Sequence, residues 1–296
     1  MKIGNLEFNL RELAGSMGDF GTLLPLAIGY ITVCGMNPTG LLVMMGLANI
    51  ATGLVYRLPM PIEPMKVLAI MAIAQAWTPE KVYTSGIVMG IIWLGMGLTG
   101  AMNYVARWTP KTVVTGIQIS LGILLALQGI KFISGWWLLG LISLVVILVL
   151  RENRFFPAAI VLVILGIVIM AVKGNLSSVG YQGITVPSLV KIQPESIWPV
   201  LRDGGLAQIP LTATNAVIAT SVLISQYWPD RRVTERQLSI NMGLMNLTLP
   251  FFGGMPLCHG AGGLAGQYFF GARTAGANII EGLIEISLGL FLGASI

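Results

Sequence analysis

Charge is scarce in this chain. Only 10% of its 296 residues are Asp, Glu, Lys or Arg, against about 25% in a soluble domain, so it has too little polar surface to face water all round. Histidine and cysteine are scarcer still, at one and two. Cys34 and Cys258 both lie in or beside apolar stretches, which argues against a disulfide or metal framework. No nucleophile stands next to a base, so an enzyme reading finds no support, and no metal or cofactor is expected. No short apolar region with a small-residue cleavage site precedes the first apolar run, so no cleavable signal peptide is expected. The formal net charge of +5 is not read as a nucleic-acid footprint, because basic residues of membrane proteins gather in cytoplasmic loops.

What the chain has in excess is apolar length: 55% hydrophobic residues and a mean hydropathy of +0.83. Apolar runs between polar breaks predict eleven spans, near 13–33, 38–56, 63–76, 82–104, 112–130, 135–150, 156–172, 206–226, 236–251, 258–270 and 277–295. The expectation is an all-α multi-pass protein of the cell membrane. Two runs, 63–76 and 258–270, fall short of the about 20 helical residues a crossing needs. Extended chain just before each must supply the rest, and at membrane depth that is tolerated only where it is buried in protein or lines a cavity. A cytoplasmic N-terminus puts Lys2, Arg11, Arg57, Arg107, Lys111, Arg151, Arg154, Arg231, Arg232, Arg236 and Arg273 inside. Lys81, Lys131, Lys173, Lys191 and Arg202 then fall outside, with Lys66 in the membrane, and eleven against five favours that orientation.

The two short spans look like diverged copies. Pro59-Met-Pro-Ile-Glu-Pro-Met-Lys66 follows Met45-Gly-Leu-Ala-Asn49, and Gly253-Gly-Met-Pro-Leu-Cys-His-Gly-Ala-Gly-Gly263 follows Met242-Gly-Leu-Met-Asn246. Broken spans at equivalent positions of two repeats point to the binding site of a secondary transporter. The division read from this is a first repeat over 1–172, an external linker over 173–205 with a short amphipathic piece near Leu189–Val200, and a second repeat over 206–296. Seven spans before the linker is an odd number, so the second repeat enters the membrane inverted. Both half-helices then start near the bilayer centre, facing one point. Each N-terminus carries unsatisfied N–H groups and partial positive charge, and two together suit an anion.

Several side chains converge on that point. Lys66, flanked by Pro64 and Met65, stands one turn into the first half-helix as an expensive intramembrane charge; it either meets the anion, snorkels, or pairs with Glu63. Glu63 is a coupling candidate or a helix cap. Gly260, Ala261 and Gly262 begin the second half-helix, as close-approach backbone or as the small-residue contact Gly262-x-x-x-Gly266. Aligning Pro25 with Pro210 brings Gln208 and Thr212 to the depth of Asp19 and Thr22. Thr22, Gln208 and Thr212 are uncharged donors for an oxyanion or cross-helix hydrogen bonds, and Asp19 is a candidate for proton coupling. His259 either relays a proton, donates to substrate, or holds backbone. Glu281 and Glu285 share a helix face and either couple protons or face a cytoplasmic vestibule.

Three motifs carry a resemblance. Glu12-Leu-x-Gly15-x-x-Gly18-Asp-x-Gly-Thr-x-x-Pro25, Pro59-Met-Pro-x-x-Pro-Met-Lys66, and Met255-Pro-x-Cys-His-Gly-x-Gly-Gly-Leu-Ala-Gly-Gln-Tyr268 with Phe270-Gly-Ala-Arg-Thr274 are similar to the molybdate transporters of the sulfate permease superfamily. The resemblance covers about residues 10–276. It implies molybdate uptake by an inverted-repeat, uracil-permease-like fold of seven plus seven spans, split into core and gate, with no cytoplasmic regulatory domain. It also suggests a homodimer. Two departures stand out: Glu63 where the family pattern has Gln, and an end at Ile296 that leaves the second repeat without its last three gate spans.

The function expected is secondary active import of an oxyanion, most of all molybdate, with protons as the candidate coupling ion. A sulfate transporter, a proton-coupled nucleobase transporter of the same fold, and an anion channel are the alternatives.

Overall fold

The protein is described by a computed structural model over residues 2–3, 6–108, 133–150, 153, 157–174 and 183–293, with single positions 112, 115, 116, 119, 123, 127 and 130. Its elements are short strands β1 (Lys2–Ile3) and β2 (Leu6–Glu7), then helices α1 (Leu10–Ser16), α2 (Phe20–Thr32) and α3 (Pro38–Tyr56). Strand β3 (Glu63–Pro64) leads into the half-helix α4 (Lys66–Ala74), followed by α5 (Pro79–Leu98) and α6 (Ala101–Trp108). Then come α7 (Trp137–Leu150), α8 (Ala158–Val172), α9 (Pro194–Tyr227) and α10 (Glu235–Thr248). Strand β4 (Leu257–Cys258), the half-helix α11 (Ala261–Phe270) and α12 (Gly276–Leu292) complete the order.

Local chemistry sets the helix starts. Asn37 before Pro38, Thr78 before Pro79, and Thr234 with Gln237 in a capping box each give a side-chain oxygen to an orphan N–H. Helices α3, α5 and α9 are long and apolar enough to cross a membrane, and α2, α7 and α8 are shorter apolar helices. α7 and α8 pack on each other while leaving most of their apolar side chains exposed, as lipid-facing helices do.

The two repeats are interlocked. α3 lies lengthwise on α12, and α5 on α10. In each pair the helix before one break meets the helix after the other break. Both pairs run antiparallel: Gly53 meets Asn278 while Gly289 meets Leu42 and Val43, and Gly97 meets Ile240 while Gly86 meets Pro250. Close approach depends on glycine, since a Cβ at Gly46 would fall 2.5 Å from the Gly282 carbonyl and one at Gly90 would fall 2.8 Å from Leu247 N. This crossed arrangement is the inverted repeat that the matching segments predict.

Where residues are described, the expected spans correspond to these helices with three differences. The first span, read as continuous over 13–33, breaks between α1 and α2, where Gly18 lies against the backbone of Gly266 and Gln267. The span read as 82–104 ends at Leu98, and Gly100 at φ +73 turns the chain into α6. The helix expected from 206 begins at Pro194 and contains two π-helical stretches, Leu201–Gly205 and Thr212–Ala219. Before it, residues 183–193 are extended across one end of the bundle, where Thr185 N–H bonds to the Leu290 carbonyl and Val190 N–H to the Phe251 carbonyl. The expected span 112–130 lies largely outside the described residues.

Candidate functional site

Pro59, Pro61 and Pro64 cannot hold a helix, and Gly253, Gly254 and Pro256 break the second span in the same way. The two extended segments meet at the middle of the molecule. β3 pairs antiparallel with β4, Glu63 opposite Cys258 and Pro64 opposite Leu257, and Met65 N–H bonds to the Pro256 carbonyl at 2.9 Å. Buried backbone needs partners, and two asparagines supply the remainder. Asn246 accepts from Leu257 N–H at 2.8 Å and donates to its carbonyl at 2.6 Å; Asn278 does the same for Met60, at 2.8 and 2.6 Å. Met60 follows Asn49 at the distance in sequence by which Leu257 follows Asn246. In the first repeat Asn49 acts one step removed, accepting from Asn278 at 3.0 Å.

From this crossing α4 and α11 run outward, and neither has a side-chain cap from its own N-cap residue, Met65 or Gly260. At α4 the orphan N–H groups of Val67 and Leu68 both donate to Gln208 Oε1, at 2.8 and 3.3 Å. The Gln208 amide N–H donates to Thr212 Oγ1 at 2.8 Å. Sequence reading left Gln208 and Thr212 as substrate donors or as cross-helix hydrogen bonds; here Gln208 turns its acceptor to the half-helix, and its N–H is held by Thr212. Lys66 pairs with Glu63 at 2.7 Å, its side chain 24% exposed while that of Glu63 is fully buried. The ion pair is thus one of the readings open for Lys66 that the structure contains. Pro64, Met65, Gly260 and Ala261 are buried around this pair, and Gly262 is half-buried. Thr22 is half-buried on α2, which packs on α4 and β3.

Behind the pair lies a chain of buried carboxyl groups. Asp19, at the break before α2, faces Glu281, and Gln267 Nε2 bridges them, donating to Asp19 Oδ2 at 3.4 Å and Glu281 Oε2 at 3.3 Å. One turn on, Glu285 Oε2 accepts from Asn49 at 2.9 Å. One oxygen on each of Asp19, Glu63, Glu281 and Glu285 is buried without a partner. The vestibule reading of Glu281 and Glu285 is thereby corrected, as both are buried, Glu281 against Gln267 and Asp19 and Glu285 against Asn49 of α3. His259 holds backbone through Nδ1, 3.2 Å from the Pro61 carbonyl, which makes Nδ1–H the donor and leaves Nε2 unpartnered. Gln267, Asn49, Asn246 and Asn278 were not singled out as site residues. Asn49 and Asn246 carried a signal, as polar residues at matching places in two apolar helices; Gln267 carried none beyond its motif.

An antiparallel crossing of two broken spans, a lysine at one half-helix and glycines at the other, define a membrane transporter of inverted-repeat architecture. The solved structures agree on the fold: the transmembrane domain of a cyanobacterium bicarbonate transporter, BicA, matches with TM-score 0.60 at 16% identity, over all of this chain and 84% of that one. The murine Slc26a9 anion transporter in its inward-facing state matches with TM-score 0.62 at 14% identity, over all of this chain and 58% of that one. The family is given by sequence. A model described as "Molybdate transporter of MFS superfamily" matches residues 11–125 and 201–296, and Molybdate transporter 1 of Arabidopsis thaliana is 31% identical over 99% of this chain and 75% of its own length. The chain belongs to this molybdate transporter family.

Proposed function

We propose that the chain is a secondary active transporter, not an enzyme, and that it imports molybdate across the cell membrane with its N-terminus in the cytoplasm. One observation carries this reading: the starts of α4 and α11 meet at a paired β crossing with the Lys66 ammonium beside them. Partial positive charge at both helix starts and a full charge on Lys66 favour a divalent oxyanion. Thr22 offers a hydrogen bond, while Gln208, held by Thr212, covers the first N–H groups of α4; Pro64, Met65, His259, Gly260, Ala261 and Gly262 line the point of approach. The buried carboxyls of Asp19, Glu63, Glu281 and Glu285 are the candidates for proton coupling, since a partnerless carboxylate away from water is costly and a proton removes its charge. Residues 1–172 and 206–296 are read as the two repeats, joined by an external segment over 173–205. A homodimer is the assembly proposed.

Isothermal calorimetry on detergent-solubilised protein tests the substrate. Sodium molybdate should bind well and sodium sulfate more weakly. Lys66→Ala should lose about tenfold or more in molybdate affinity, a difference of ~1.4 kcal/mol. Folded wild-type protein that binds neither anion would refute the oxyanion reading.

A further inference from the structure

The start of α11 has room because residues 260 and 263 are glycines, and Glu63 fills that room. A Cβ at Gly260 would fall on the Glu63 carboxylate, and one at Gly263 would fall on Glu63 Oε1. The carboxyl group is fully buried, its Oε2 accepts from Lys66 Nζ at 2.7 Å, and its Oε1 has no partner. An anionic group of the protein therefore lies against a glycine-lined helix start and holds the lysine, which is what an incoming oxyanion requires. The other half-helix is treated alike, its first N–H groups being taken by the Gln208 carbonyl.

We infer that Glu63 is a tethered occupant of the oxyanion subsite: substrate replaces it as the counter-ion of Lys66, and Glu63 takes up one proton as it is displaced. The inference rests on the oxyanion reading given above. The groups facing Glu63 explain why displacement needs a proton. Lys66 lies on its own segment, Cys258 is opposite it in the strand pair with His259 next in the chain, Asp19 stands at the start of α2, and Glu281 lies behind Asp19 on α12. Asp19 and Glu281 add negative charge, and among the described residues Lys66 is the only cation in the cluster. A carboxylate left without the ammonium, beside a divalent anion and out of water, has nothing to offset its charge. The balance is simple: the carboxylate and one proton from solution give the neutral acid, the ammonium stays protonated, and no bond forms to substrate. Import then brings one positive charge in with each oxyanion.

Proton counting by calorimetry tests this. Sodium molybdate is titrated in two buffers of different ionisation enthalpy, from neutral to alkaline pH, where molybdate itself is unprotonated. Wild-type protein should take up close to one proton per molybdate, with affinity falling by up to about tenfold per pH unit at the alkaline end. Glu63→Gln should take up none, show no slope with pH, and bind at least as tightly as wild type at the alkaline end. An infrared difference spectrum of wild type on adding molybdate should gain a protonated-carboxyl C=O band, a readout that needs no variant to fold. Molybdate binding without proton uptake or without that band overturns the inference and leaves the oxyanion reading standing. A wild-type proton count retained in Glu63→Gln also overturns it, whereas no molybdate binding by wild type overturns both.

Discussion

Gln208 shows how one side chain can hold the start of a half-helix. With its carbonyl on two N–H groups of α4 and its amide on Thr212, it satisfies donors that would otherwise be orphaned beside the lipid-buried core. Removing an acceptor from buried donors costs about 1–3 kcal/mol. Gln208→Ala should accordingly lower the melting temperature of the empty protein, and added molybdate should raise it by more than in wild type, because the anion then meets uncovered N–H groups. A smaller ligand-induced rise in Gln208→Ala would instead mean that the amide donates to substrate. This residue was legible by type and depth, through its alignment with the first span, but not by orientation: an amide carries donor and acceptor at once, and only the geometry of α4 decides which is turned inward. Lys66 and Glu63, three apart in sequence, were legible as a pair because their contact is local. Gln267 meets Asp19 across 248 residues of chain and Glu281 across 14, and nothing local announces such a cluster.

At the scale of elements, breaks made by Pro and Gly were readable, and so were the extended segments ahead of the half-helices. The break at 17–19 was not read as one, since its residues are compatible with helix and its cause is the close passage of α11 against Gly18. The early start of α9 escaped notice for a similar reason: Pro194 looks like linker, yet a proline in the first turn is tolerated in a helix. A close helix contact is the crossing of α3 and α12, where Gly46 lies under the Gly282 carbonyl and 2.7 Å, by its hypothetical Cβ, from Ile286. Gly46→Leu should destabilise the protein by about 1–3 kcal/mol or more through overpacking. Thermal unfolding in detergent checks this, with Leu47→Ala as the control. Leu47 is 44% exposed and points away from the crossing, so that variant should melt close to wild type.

For the whole molecule, the proposed topology can be measured. Lys81 and Asp203 pair at 2.9 Å at one end of the bundle, where α5 and α9 begin, whereas Tyr56 bonds to the Gln237 carbonyl and Arg236 to the Gly97 carbonyl at the other. Cys34 and Cys258 are both buried, so an added cysteine can be labelled selectively. In intact cells a membrane-impermeant maleimide should label Glu195→Cys and leave Arg232→Cys unlabelled until the membrane is permeabilised; the reverse pattern would put the N-terminus outside. The family description carries the MFS name, but the halves of MFS transporters are parallel repeats about an axis along the membrane normal. Here the repeats run antiparallel through one another. That crossing also bears on biosynthesis. α3 leaves the ribosome long before its partner, carrying Asn49 and a row of glycines shaped for α12, and it must wait in the bilayer with that face uncovered. The strand crossing closes only after β4, α11 and α12 have been inserted, so the segment ending before β4 cannot assemble it alone.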